Sequence, residues 1–233
     1  MHRLLKSEVG PFPEPVFPQG IDLEVEERRA RARLYPVTVL YTSGFFTLMT
    51  LAYRSSRLAD SLGFAAMGAA SWPLVEYLVH RYLLHGAFPK AGGLLRRSLH
   101  RLFDASHADH HARPWDGMYI NGHFDTLFAA ALMVPLSLLA PPYTASVWVA
   151  TLFVCYVAEE WIHHALHFGN VRWAYFQYIR RRHLFHHSRH GAGVAYGITS
   201  GIWDGVLRTR IPSRERRLLL ARLRPRPGTV AGP

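Results

Sequence analysis

Two stretches of this chain leave few folds open. Residues 35–53 carry no charge at all, and residues 61–79 are uncharged until Glu76. A helix that crosses the hydrocarbon core of a bilayer needs about 20 apolar residues, with a range near 17–25, and both stretches meet that length. Two further runs, residues 126–140 and 143–158, hold roughly 15–16 apolar residues each, short for a crossing on the same criterion. Pro141-Pro142 divides them, so they read together as a helical hairpin that barely passes the opposite headgroups. Near-uncharged runs of this length and spacing seldom occur in the core of a soluble helical protein. The expected fold is therefore all-α: an integral membrane bundle of about four transmembrane helices.

The flanks of these runs are polar and basic. Residues 1–20 are Pro-rich and irregular, without the apolar core of a cleavable signal peptide. Residues 21–34, IDLEVEERRARARL, read as a charged surface helix leading into the first run. Four crossings place the N-terminal segment, the middle loop (Arg81, Lys90, Arg96, Arg97, Arg101, Arg113) and the C-terminal segment (Arg172, Arg180, Arg181, Arg182, Arg189) on one side. The excess of Lys and Arg there makes that side cytoplasmic, although Arg54 and Arg57 fall on the other. The expected organisation is an N-terminal cytoplasmic segment 1–34, a membrane domain 35–210 and a basic, disordered tail 211–233.

The chain carries 27 Lys+Arg against 16 Asp+Glu, a formal charge of +11. Such a balance suits either nucleic acid or an anionic lipid surface. A nucleic-acid binder would show basic residues interleaved with aromatics, or a known module; neither is present, and the membrane topology accounts for the charge. A single cysteine, Cys155, excludes an internal disulfide framework and a cysteine-based zinc ribbon.

Histidine is the outlier, with 15 in 233 residues, and the pattern is more telling than the count. EYLVHRYLLH holds His80 and His85, HADHH holds His107, His110 and His111, HHALH holds His163 and His167, and HLFHH holds His183, His186 and His187. On a helix, residues three and four apart share a face, so each H-x-x-H-H presents three imidazoles to one side. His163 and His167 are one turn apart. His80 and His85 are five apart, wrong for one face of an ideal helix: either they serve two metals or the helix loosens at the membrane edge. Neutral imidazole is the commonest protein metal ligand. Ten candidates exceed what one four- to six-coordinate metal can take, so they imply two metals. His80 and His85 follow directly after the second apolar run, and His163 and His167 after the fourth, which places the site at the membrane surface. Glu76 and Glu159 each lie one turn before a histidine, where a carboxylate can hold a ligand's other ring N–H or bind the metal itself. His164 sits about 100° round the helix from His163 and should point away, and His190 could reach the site from behind. His2, His100 and His123 have no evident role.

The ordered set EYLVHRYLLH, HADHH, HHALHFG, HLFHH and YGITSGIWDGVLRT resembles the fatty acid hydroxylase/sterol desaturase superfamily of membrane di-metal enzymes, over about residues 70–210 and closest to the fatty acid 2-hydroxylase branch. The resemblance implies two iron ions held by His80, His85, His107, His110, His111, His163, His167, His183, His186 and His187. It also implies a helical, His-rich cytoplasmic domain closed by Trp203-Asp204, with Asp204 supporting a ligand from behind. The implied activity is that of an oxidoreductase, a lipid monooxygenase using O2 and two electrons. No cytochrome b5-like module precedes the membrane part, so a separate ferredoxin- or cytochrome b5-like donor is expected. Relatives act on fatty acyl chains, sphingolipids, sterols, carotenoids and alkylglycerols, which leaves the lipid open. Desaturation is the alternative outcome at the same centre. A metal transporter or storage protein would need acidic or histidine residues within the spans to pass ions, and these have almost none. A zinc hydrolase would need no electrons; imidazole suits zinc as well as iron, and purified protein can carry zinc.

Overall fold

The structure is a computed structural model. It describes residues 20–86, 88, 93–120, 124–188, 191 and 193–223. His2, His123, His190, Lys90, Arg189, the Pro-rich N-terminus and the last ten residues of the tail lie outside this set.

Among the described residues all regular structure is helical. Helix α1 spans Leu23–Arg54 and joins the charged segment and the first apolar run into one rod. Asp22 starts it, its Oδ1 accepting from the N–H groups of Glu24 at 3.0 Å and Val25 at 3.2 Å, which satisfies donors that a helix start otherwise leaves unpaired. Arg28 and Arg29 pair with Glu24 and Glu26 on the next turn up, so the polar end is laced at helical spacing. Helix α2, Leu58–Leu78, continues without a break into a π-helical turn, Val79–Leu84. Short helices α3 (Leu94–Leu99) and α4 (Ala105–Ala112) are joined by a second π turn, His100–Asp104. Then come α5 (Phe124–Ser137), α6 (Ala145–Phe168), α7 (Ala174–His186), α8 (Ile202–Val206) and α9 (Ser213–Leu223).

Three helices, Leu23–Arg54, Leu58–Leu84 and Ala145–Phe168, are long and apolar enough to cross a membrane. The third apolar run forms a shorter helix: at 14 residues, α5 extends about 21 Å against a hydrocarbon core of about 30 Å. The fourth run reaches further than its apolar residues suggest. Its helix carries on through Glu159, Glu160 and both His163 and His167 to Phe168, so one rigid element links the membrane to the histidines.

Helix α6 is the hub, packed on α1, α2 and α5. Val37 and Tyr41 meet Val149, Phe153 and Val157 in the α1–α6 seam, with the Tyr41 and Phe153 rings stacked at 4.6 Å. Against α2 the approach is closer still. A Cβ placed on Gly68 would stand 2.8 Å from Thr151 Cβ and 3.0 Å from the Trp148 carbonyl. Apolar helices in lipid associate through such small-residue contacts, because lipid removes the hydrophobic incentive to pack. Gly68→Leu should therefore force α2 from α6 and cost about 1–3 kcal/mol, read as a lower midpoint of thermal unfolding in detergent.

Candidate metal centre

The histidines enter from four elements. His80 and His85 come from the π turn that ends α2, and the sequence puzzle of their five-residue spacing resolves there. The His85 N–H bonds to the His80 carbonyl at 3.1 Å, an i→i+5 bond, so residues five apart share a face. Single π turns inside α-helices occur often at functional sites. His107, His110 and His111 come from α4, His163 and His167 from α6, and His183, His186 and His187 from the end of α7.

These ten side chains divide into two sets of five. His80, His85, His107, His111 and His186 converge in one; His110, His163, His167, His183 and His187 converge in the other. The H-x-x-H-H motifs are thus split. In α4 the i,i+4 pair His107/His111 joins the first set and His110 the second. In α7 the i,i+4 pair His183/His187 joins the second set and His186 the first. Neighbours on a helix point about 100° apart, so His110-His111 and His186-His187 each straddle the two sets. Their rings pack tightly at the junction: His111 stacks on His187 with centroids 4.3 Å apart.

The ring nitrogens show what each set can hold. In the first, Nε2 of His107 lies 3.1 Å from those of His80 and His111 and 3.0 Å from that of His85, and His85 lies 3.0 Å from His186. In the second, the pairs His110–His163, His163–His167, His167–His183 and His183–His187 stand at 3.1, 3.2, 2.9 and 3.0 Å. Some tautomers follow from neighbours. Nδ1 of His80 faces the Tyr196 carbonyl at 2.5 Å and Nδ1 of His186 the Val194 carbonyl at 2.7 Å. A carbonyl only accepts, so both rings carry their proton on Nδ1 and aim an Nε2 lone pair inward. Lone pairs converging in a buried site suit a cation. Two nitrogens each about 2.1 Å from a shared ion and about 90° apart stand about 3.0 Å from each other, the separation found here. The residues fit two metal ions.

Burial and the neighbouring imidazoles hold His107, His110, His183, His186 and His187 well below the ordinary histidine pKa. Burial lowers His85 to about 4, and burial together with His85 and His163 lowers His111 to about 3. Neutral rings are the ligating form. In the unfolded chain they titrate near pH 6.5; in the folded one, lower. Between these limits the unfolded state binds more protons, so stability falls as pH falls. Metal-stripped protein should therefore lose thermal stability progressively from about pH 6.5 down to about pH 4, measured by unfolding scans across that range.

One loop, residues 194–199, positions the first set. Its carbonyls at Val194 and Tyr196 receive the two imidazole protons described above. Its amides are held from the other side by buried carboxylates. Asp204 accepts from Tyr196 N at 2.9 Å and Gly197 N at 3.1 Å, from Thr209 Oγ1 at 2.8 Å and from Arg182 Nη2 at 2.6 Å. Glu76 accepts from the Ile198 and Thr199 amides at 2.5 and 3.0 Å and from the Thr199 hydroxyl. Neither carboxylate touches an imidazole; both act through the loop. Glu159 is buried beside Glu160 and His163, but the carboxylate 4.0 Å from His163 Nδ1 belongs to Glu160. Trp115 Nε1 donates to the His167 carbonyl at 3.3 Å and braces the second set. His164 is buried against Trp161 and Phe168, outside both sets. His100 pairs with Asp104 at 2.9 Å, also outside them. Sequence reasoning did not anticipate the carbonyls of Val194 and Tyr196, or Thr199 and Arg182. The one available signal was YGITSG itself, lying just ahead of Trp203-Asp204.

A family model described as fatty acid hydroxylase matches residues 65–209. The chain belongs to the fatty acid hydroxylase family. The matched region holds all ten histidines together with Glu76, Glu159 and Asp204. A dihydroceramide fatty acyl 2-hydroxylase of Arabidopsis thaliana is 34% identical over 148 residues, 62% of this chain and 59% of the relative. A fatty acid 2-hydroxylase of Rattus norvegicus is 30% identical over 154 residues, 65% of this chain and 40% of the relative. The chain thus spans about two fifths to three fifths of the length of these relatives. Among solved structures, full-length scs7p, with only its hydroxylase domain visible, superposes with a TM-score of 0.64 at 25% identity, over 77% of this chain and 67% of that one. The region that matches the family therefore contains the whole His-rich centre, with His80, His85, His163 and His167 at the ends of candidate membrane helices.

Proposed function

We propose that this chain is a di-iron lipid hydroxylase of the membrane, inserting one oxygen atom from O2 into an aliphatic chain. The observation that carries the reading is the division of ten imidazoles into two sets of five, four of the ten at the ends of apolar helices. The metal ligands in this reading are the ten histidines, and Glu76 and Asp204 hold the loop that orients His80 and His186. Relatives named as acting on fatty acyl and dihydroceramide fatty acyl groups point to an acyl chain as substrate.

A narrow cavity of about 80 Å³ touches both sets, with His80 and His107 on one side and His163 on the other. Trp72, Phe103 and Tyr156 supply apolar wall, Glu159 and Glu160 carboxylates. Its apolar walls suit a hydrocarbon chain entering from the bilayer and exclude water from the reacting carbon. Bound iron would supply O2 activation, with two electrons from a separate ferredoxin- or cytochrome b5-like donor. Overall, R–H, O2, two electrons and two protons give R–OH and water. In this reading the α5 segment contributes a fourth, shorter crossing, and the excess of Lys and Arg in the segments that carry the histidines supports a cytoplasmic centre.

The test is to purify the chain from iron-supplemented membranes, measure its metal and supply a reductant with a labelled acyl lipid under isotopically labelled O2. A product heavier by one labelled oxygen atom supports the reading. A product lighter by two hydrogens would assign desaturation instead. Turnover that needs neither reductant nor O2 would sink both.

A further inference from the structure

Opposite the metal centre, across the loop 194–199, lies a second cleft of about 540 Å³ that shares no lining residue with the first. Three guanidinium groups line it: Arg182 from α7, Arg210, and Arg216 from α9, with Tyr175 and Tyr178 beside them. The cleft contains one carboxylate, Asp204, and that one is fully engaged with Arg182, Thr209 and two amides. Arg182 is only 4% exposed, yet its Nη1 has no hydrogen-bond partner among the described residues. A buried guanidinium N–H left unmatched costs free energy, a cost that an acceptor reaching it through the cleft would recover. Two glycines of the α8 segment admit the arginines. A Cβ on Gly201 would lie 2.9 Å from Arg182 Cζ, and one on Gly205 would lie 2.2 Å from Arg210 Nη2.

The rim decides what kind of anion this is. Ile202, which lines the cleft, is 63% exposed. Val206 on the same short helix is 61% exposed, and Trp173, whose ring packs beside the lining Tyr175, is 69% exposed, so apolar and aromatic side chains form a collar next to the cleft. Such a collar beside a basic pocket suits the interfacial zone of a bilayer. We propose that the cleft binds the phosphate group of an anionic phospholipid from the leaflet on the side of the metal centre. Arg182 donates from the floor, Arg210 and Arg216 from the wall, and the acyl chains lie along the collar. The proposal rests on the membrane reading but not on the hydroxylase reading, because binding is measured without turnover.

The experiment uses native mass spectrometry of the whole chain in detergent, offered phosphatidylglycerol or phosphatidylcholine, beside the double variant Arg210→Gln/Arg216→Gln. Both arginines lack partners among the described residues, so their loss spares the fold, and metal content serves as the check on that. The expected result is preferential retention of one phosphatidylglycerol by the wild type, falling roughly tenfold in the variant, about 1.4 kcal/mol. Excess inorganic phosphate should displace it only weakly, since the collar holds the chains. Equal retention of the two lipids, or equal retention by wild type and variant, would overturn the proposal. So would full displacement by inorganic phosphate, which would assign a free-anion site, or a variant that keeps the lipid but loses binding of an acidic electron-donor protein.

Discussion

Replacing His107 and His111 together by alanine is expected to lower bound metal from about two per chain to about one and to abolish turnover. Both residues serve the first set of imidazoles, and their loss leaves three ligands there against five in the second. His183→Ala/His187→Ala should give the same stoichiometry by emptying the other set. Disturbing a partner that merely orients a ligand already costs about 10–100-fold in metal affinity, so losing two ligands should exceed that, with activity down by more than about 100-fold. His100→Ala is the control: its ring pairs with Asp104 outside both sets, and the variant should keep both metals. Metal analysis of the purified variants decides the matter. Two metals retained in either double variant would refute the division into two sets. Complete loss from both would show that the two sites are filled only together.

Asp204→Ala should be among the most destabilising single substitutions in the chain. The carboxylate is 1% exposed and Arg182 4% exposed, and they meet at 2.6 Å. Removing one partner of a buried ion pair strands the other charge, at a cost of about 3–5 kcal/mol. The amides of Tyr196 and Gly197 lose their acceptor in the same stroke. The loop they belong to carries the carbonyls that orient His80 and His186, so metal affinity should fall along with stability. Thermal unfolding in detergent and metal analysis read the two effects. Arg182→Met/Asp204→Leu should recover part of the stability, because no charge is left unpaired, but not the metal affinity, because the amides remain unheld. Equal metal affinity in the wild type and Asp204→Ala would show that the loop does not position the first set.

Much of this was legible from local pattern. Uncharged runs long enough to cross a bilayer announce membrane helices, because the hydrocarbon core charges every exposed polar group and length alone screens candidates. Histidines at i, i+3 and i+4 announce a ligand face, because helical spacing is a local property. The carboxylates were less legible, because their partners come from elsewhere in the fold. Glu76 looked like a partner for His80, one turn away; in the fold its carboxylate turns to the Ile198 and Thr199 amides, 122 residues and more along the chain. Glu159 offered either a hydrogen-bond partner for His163 or a metal ligand; in the fold its carboxylate, that of Glu160 and a His163 ring nitrogen lie within 4.8 Å of one another, and the ion-pair contact to His163 Nδ1, at 4.0 Å, comes from Glu160.

By itself, the sequence determined the helical class, the apolar spans and the ten candidate imidazoles, all of which follow from spacing within single segments. Tertiary structure alone decided which imidazole joins which set. Adjacent histidines point in different directions, and only the packing of α4 against the π turn, and of α7 against α6, brings partners about 3 Å from each other. It also decided that the residues behind the ligands are backbone carbonyls, whose positions no side-chain pattern records.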